Sequence, residues 1–373
     1  ALLGALGDRI NRGRLPGFHT SVRHGGGRFW HRVTHAVTAR PVLSVVLAGG
    51  ILLGAAAPYL TMTTGSNHIS SLPDDSPYRH AWTVLNDHFD TGTVTTSVVI
   101  AESGNDPAAA AGIAALVADL GADPDYGEVT VTPSPDGELT LVTAVTKLDP
   151  STVAAREAVS DLRTTTIPAA FAGSGIAVSV TGEAAWNADY VAEIDARTPV
   201  VFGFVLGLSF LLLLMVFRSI VVPLKAILMN LLSVGAAYGL LVAVFQHGFG
   251  AGVLGFQQTD VIEAWVPMLM FAVLFGLSMD YHIFLLSRIK EHYDETGDNT
   301  GSVAFGLGST GAIITGAALI MVAVFGGFAI GDLVMFQQMG FGLAVAVILD
   351  ATIVRSVLVP ATMRLLGDRN WYL

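Results

Sequence analysis

The chain has 373 residues, 52% apolar and only 13% charged, and no cysteine. Soluble domains carry about 25% charged residues, so a polytopic membrane protein is the expected class, and disulfides and thiolate metal sites are excluded. The net charge of −11 is uneven: residues 1–41 hold seven Arg and one Asp, whereas residues 61–197 hold 19 acids and five bases. An acidic domain poor in aromatics gives no support for nucleic-acid binding.

Residues 1–41 read as a basic cytoplasmic linker rather than a secretory signal, because the first apolar run begins only at Val42. The opening Ala1–Arg9 shares A-x-x-x-x-L-G-D-R with Ala361–Arg369. The second copy closes a membrane run, so the first reads as the tail of an equivalent helix, and the chain as the second half of a duplicated protein. A chance match of common residues is the other reading.

Six runs are long enough to span a bilayer: Val42–Leu60, Pro199–Phe217, Val221–Phe245, Trp265–Ser287, Thr310–Ile330 and Val334–Leu366. The predicted architecture is a polytopic α-helical membrane protein with six transmembrane helices in a 1+5 arrangement. Its segments are a first span at 42–60, an outer domain at 61–197, a five-helix bundle at 198–366 and a tail at 367–373. The Arg-rich start, Arg218 and Lys225, Arg288 and Lys290, and Arg364 and Arg369 fall on one side of these spans. The positive-inside rule makes that side cytoplasmic, both termini included, and places 61–197 outside.

Within the outer domain, Ser76-Pro77 opens a helix to about Phe89, and Thr93–Ala101 is β-branched and strand-like. Asp106-Pro107 caps a helix to Leu120 that ends at Gly121. Glu128–Thr132 and Glu138–Lys147 read as strands around the turn residues Pro133–Gly137. Asp149-Pro150-Ser151 opens a helix to about Thr165, Ile176–Thr181 is a strand, and a last helix, Glu183–Arg197, leads into the membrane. The order βαββαβ is the α+β, ferredoxin-like arrangement. The many glycines inside the spans fit close helix packing through small residues.

Asp280 is the only formally charged side chain in Trp265–Ser287. An ionised carboxylate near a bilayer centre costs about 2.5–3.5 kcal/mol on insertion scales, so it marks a functional candidate. Val273, Gly276, Asp280 and Phe284 share a helix face. Asp280 lies 15 residues below Trp265 and Asp350 lies 16 below Val334, nearly equal depths that suggest one polar layer. Burial favours the neutral form of a carboxyl group, which suits a proton carrier, and Tyr281 offers a phenolic donor that could bond the carboxylate. A structural acid satisfied by hydroxyls or backbone is the rival reading.

For Asp350 and Arg355 a structural ion pair or a helix-to-helix clamp stands level with a functional role, but positions five apart lie 140° round an α-helix, which argues against a tight pair on one helix and points each to a different partner. Thr310 and Thr315 can lend hydroxyls to the layer or bond their own helix backbone. His282 points away from Asp280 as a packing or lumen-facing residue, and Lys225 can snorkel to headgroups. No Walker motif, G-x-S-x-G or H-E-x-x-H is present, so no enzyme and no cofactor is expected. Transport would then draw on an ion gradient or on a partner.

The stretch Gly276-Leu-Ser-Met-Asp-Tyr-His-Ile-Phe-Leu-Leu-Ser-Arg288, with Gly331-Asp-Leu-Val-Met335 and Leu349-Asp-Ala-Thr-Ile-Val-Arg355, resembles the mycobacterial membrane protein large (MmpL) family. That family belongs to the resistance–nodulation–division superfamily of proton-driven exporters, and the likeness runs over nearly the whole chain. It implies a porter domain at 61–197, a bacterial inner-membrane location, and Asp280 and Tyr281 as half of a proton relay. The other Asp-Tyr pair would come from a companion repeat, in the same polypeptide or a second copy. The implied cargo is membrane lipids or hydrophobic small molecules, with accessory envelope proteins as further partners. A drug or secondary-metabolite exporter of the same build is the alternative, and a sterol-sensing-like sensor or scaffold is the reading from another class.

Overall fold

The computed structural model describes residues 26–67, 72–73, 75–88, 96–102 and 106–371. The first A-x-x-x-x-L-G-D-R copy lies outside the described residues, as do Phe89 and the first part of the strand expected from Thr93. The basic segment contains a helix that its composition did not announce, α1 (Gly26–Ala39). Pro41 then starts α2 (Pro41–Ala56), and Arg40 before it, at φ −134° and ψ 66°, lies outside the α region that a following proline disfavours. A 3₁₀ turn carries α2 on to Thr61.

Among the described residues six helices are long and apolar enough to cross a membrane, and the chain is a multi-pass membrane protein. The first is α2 with its 3₁₀ extension. The helix expected before the membrane and the next span form one 35-residue helix, α6 (Glu183–Phe217), with Pro199 inside it. Proline there removes one backbone donor. Residues 195–197 and 199–200 around it are exposed. The others are α7 (Val221–Phe245), α8 (Trp265–Thr296), α9 (Asn299–Ala329) and α10 (Val334–Leu349). Both α8 and α9 run past the apolar core to meet at Gly297-Asp298, where Gly297 has φ +66° and Asp298 caps Thr300 N.

After Leu349 the last span widens into a π-helical stretch, Asp350–Leu358, and returns to α geometry over Val359–Leu366. Pro360 supplies the cause. It has no N–H to donate and its ring would strike the carbonyl four residues back, so the chain shifts to i→i+5 bonding, such as Val359 N to Val354 O.

α7 sits at the centre, with one core around Leu241, Phe245, Met270, Phe271 and Phe275 and a second around Leu52, Leu213, Phe217, Leu285, Val354 and Leu358. Close approach explains two glycines. A Cβ at Gly239 would collide with the Ala55 carbonyl of α2, and one at Gly340 would stand 2.5 Å from Ala329 N and Phe325 O.

Outside the bundle, α3 (Pro77–His88) precedes β2 (Thr96–Ala101), α4 (Pro107–Ala122), β3 (Tyr126–Pro133), β4 (Thr140–Thr146), α5 (Val153–Asp161) and β5 (Val178–Thr181). The four strands form one sheet in the order β3-β4-β2-β5, every neighbouring pair antiparallel. Asp106 Oδ1 caps α4 at Ala108 N, and Thr152 rather than Asp149 caps α5 at Ala155 N. Val99, Leu116, Leu120, Val142, Leu162 and Phe171 bury the sheet against its helices. A second sheet is minimal: β1 (Thr64–Gly65) pairs in parallel with β6 (Ile262–Glu263).

Candidate functional site

Asp280 lies on α8 in an exposed row with Gly276 and Phe284, facing away from its own bundle. Among the described residues its carboxylate has no hydrogen-bond or ion-pair partner. Tyr281, one residue on and about 100° round the helix, points inward. Its hydroxyl donates to Met321 Sδ at 3.6 Å rather than to Asp280, so the expected Asp280–Tyr281 bond is not formed. Its ring lies under the Arg355 guanidinium, 4.6 Å from Cζ to the ring centroid, a cation–π contact.

Arg355 is 2% exposed and donates through Nη2 to Asp350 Oδ2 at 2.5 Å. This corrects the expectation from 140° spacing. The π-helical stretch that begins at Asp350 brings residues five apart nearly over one another, and the pair closes within a single helix. Arg355 Nη2 also reaches Ser278 O at 3.0 Å, and Ser278 Oγ donates to Asn230 Oδ1 at 2.8 Å. The polar layer therefore joins α7, α8 and the last span, and it includes Asn230 and Ser278, which carry no charge to draw attention in a sequence.

Several buried atoms of the layer keep unused hydrogen-bonding capacity: Asp350 Oδ1, Arg355 Nε and Asn230 Nδ2. Asn230, Asp350 and Arg355, with Ser233, Ser278 and Tyr281, supply the polar lining of a small cleft of ≈ 20 Å³, room for about one water. Such a site can hold a small polar species or pass a proton between oxygens.

The remaining sequence candidates lie elsewhere. Thr310 and Thr315 donate to the carbonyls of Gly306 and Gly311, one turn back on their own helix, and take no part in the layer. His282 is buried at 1% exposure. Lys225 does not snorkel. Its Nζ turns inward to Asn370 Oδ1 at 2.9 Å, because Asn370 folds back beneath the bundle and offers a fixed acceptor. No group of three metal-ligating side chains occurs among the described residues.

The family model described as MMPL family matches residues 70–372. The chain is 38% identical over 354 residues to the mycolic acid-containing lipids exporter MmpL11 of Mycolicibacterium smegmatis, covering 93% of this chain and 37% of that protein. It is 37% identical to the heme uptake protein MmpL11 of Mycobacterium tuberculosis, with 92% and 36% covered. Against the trehalose monomycolate exporter MmpL3 of M. tuberculosis it is 32% identical, covering 100% of this chain and 39% of that one. The chain thus spans under two fifths of the length of these three relatives.

Proposed function

The chain belongs to the MMPL family, and from that premise we propose that it is one repeat of a proton-driven exporter of lipids or hydrophobic small molecules in a bacterial inner membrane. One observation carries the reading: an unpartnered carboxylate, Asp280, on an outward face of an apolar helix. A charge so placed is costly in lipid, and a companion six-helix unit covering that face removes the lipid contact. The length of the relatives leaves room for such a unit within one polypeptide.

In this reading Asp280 takes up a proton from one side and releases it to the other, with Tyr281 beside it. The Asp350–Arg355 pair, held by Ser278, sets the local field. Thr310 and Thr315, bonded to their own backbone, have no part in the relay. The β2-α4-β3-β4-α5-β5 unit is a ferredoxin-like porter domain within an extracytoplasmic segment 61–197, entered from span 42–60 and followed by the five-helix bundle 198–366. Residues 1–41 and 367–373 are cytoplasmic, by the distribution of Lys and Arg. Accessory envelope proteins would dock on the outer domain.

The names of two relatives, a mycolic-lipid exporter and a heme uptake protein, both point to cargo with a large apolar body. The test is export by cells carrying the full-length protein, assayed with a lipid and with heme. Asp280→Asn is expected to abolish movement of whichever cargo is carried, with protein level unchanged. Normal movement by that variant would refute the proton assignment.

A further inference from the structure

The start of the Asp280 helix is fastened to the strap that leaves the first span for the outer domain. β1 lies three residues after the 3₁₀ end of α2, and β6 ends two residues before α8 begins. Their backbones join through Ile262 N to Thr63 O at 2.9 Å and Ala264 N to Gly65 O at 2.8 Å. Glu263, 6% exposed, extends the join: its Oε2 accepts from Asn67 N at 2.8 Å and from Asn67 Nδ2 at 3.1 Å.

Gln338, fully buried on α10, closes the other side. Its Oε1 accepts from Glu263 N at 2.9 Å, and its Nε2 donates to Thr259 Oγ1 and to Val261 O at 3.2 Å. Gln246, just after α7, binds Thr63 N and Asp260 O. The cluster therefore touches the ends of three helices and the outward strap at once.

Two of the helices it grips, α8 and the last span, each carry an intramembrane acid. Asp280 follows Trp265 by 15 residues, roughly 22 Å of α-helix, and Asp350 follows Gln338 by 12. We infer that the Glu263–Gln338 clamp is the mechanical link that carries a shift at the intramembrane acids to the outer domain, with Glu263 and Gln338 as positioning residues. The inference rests on the proton-coupled reading above. Neither residue touches cargo or proton site. A hydrogen-bonded carboxylate buried between strap and helix makes the two move together, because parting them would break both Asn67 bonds to a buried acceptor.

This chain contains no cysteine, and with any cysteine outside it replaced by serine the test can be run in the full-length protein reconstituted in liposomes. Fluorophores introduced as non-canonical amino acids at exposed Glu138 and Val253 would report movement of the outer domain against the bundle by energy transfer when a pH gradient is imposed. Lumenal pH would be followed in parallel. In wild type we expect the gradient to change the transfer efficiency. Glu263→Ala and, independently, Gln338→Ala are expected to cut that change about fivefold or more while proton entry persists.

Thr64 and Ile262 are register partners, so oxidising Thr64→Cys/Ile262→Cys in the Glu263→Ala background is expected to restore the response, and reduction to remove it. A response within twofold of wild type in both alanine variants would overturn the link, as would its loss on forming the same disulfide in otherwise wild-type protein. Loss of proton entry together with the response would also overturn it, by placing Glu263 in the ion site. Asp280→Asn separates the two ideas: a gradient response that survives it sinks the proton reading, whereas clamp variants that alone lose the response leave the link standing.

Discussion

At the scale of single residues, charge and partnership divide the two intramembrane acids. Asp280 loses no partner on substitution, so Asp280→Asn is expected to leave folding stability within about 0.5 kcal/mol while transport falls about 100-fold or more. Thermal unfolding in detergent, run beside the transport assay, checks both halves. Asp350 and Arg355 behave oppositely. Removing either strands a buried charge, so Arg355→Met is expected to cost about 3–5 kcal/mol, and Asp350→Asn/Arg355→Met less than the sum of the single changes. A double-mutant cycle in denaturant measures the difference. Asp280 was legible in the sequence because a lone charge in a 23-residue apolar run stands out. Ser278 and Asn230 were not, since an uncharged polar residue in a span gives no sign of the partner it will meet.

Elements show where regular geometry misleads. The Asp350–Arg355 pair was discounted on α-helical spacing, yet Pro360 downstream forces the wider turn that closes it. Pro360→Ala is expected to let the stretch tighten and separate the pair. The coupling energy from the cycle above should then shrink, and a coupling equal to wild type would assign the wide turn another cause. Span positions were readable because long apolar runs end at charges or prolines. The extensions of α8 and α9 beyond the core were not, because their polar turns carry no hydropathy signal. The β1–β6 pair is two residues long, too short to leave a periodicity. Glycines sort by contact rather than by type. Gly239→Val is expected to destabilise by more than about 3 kcal/mol, since a backbone carbonyl cannot move aside, whereas Gly276→Ala, with nothing near its Cβ position, should be tolerated.

For the whole molecule, the distribution of Lys and Arg underlies the topology proposed above, with the sheet domain outside and the α8–α9 turn inside. In this cysteine-free chain, Glu138→Cys should react with an impermeant maleimide in intact cells, and Glu295→Cys only after permeabilisation. The reverse pattern would invert the topology. The proposed function combines an acidic sheet domain, an apolar bundle with Asp280 on an outward face, and a neighbouring polar layer. Everything in that account depends on Asp280 changing its protonation state. Infrared difference spectroscopy of the reconstituted full-length protein, with a pH gradient applied and collapsed, reads this directly. The expected result is a carboxylic C=O band that appears and disappears with the gradient and is missing in Asp280→Asn; a spectrum unchanged by that substitution would contradict it.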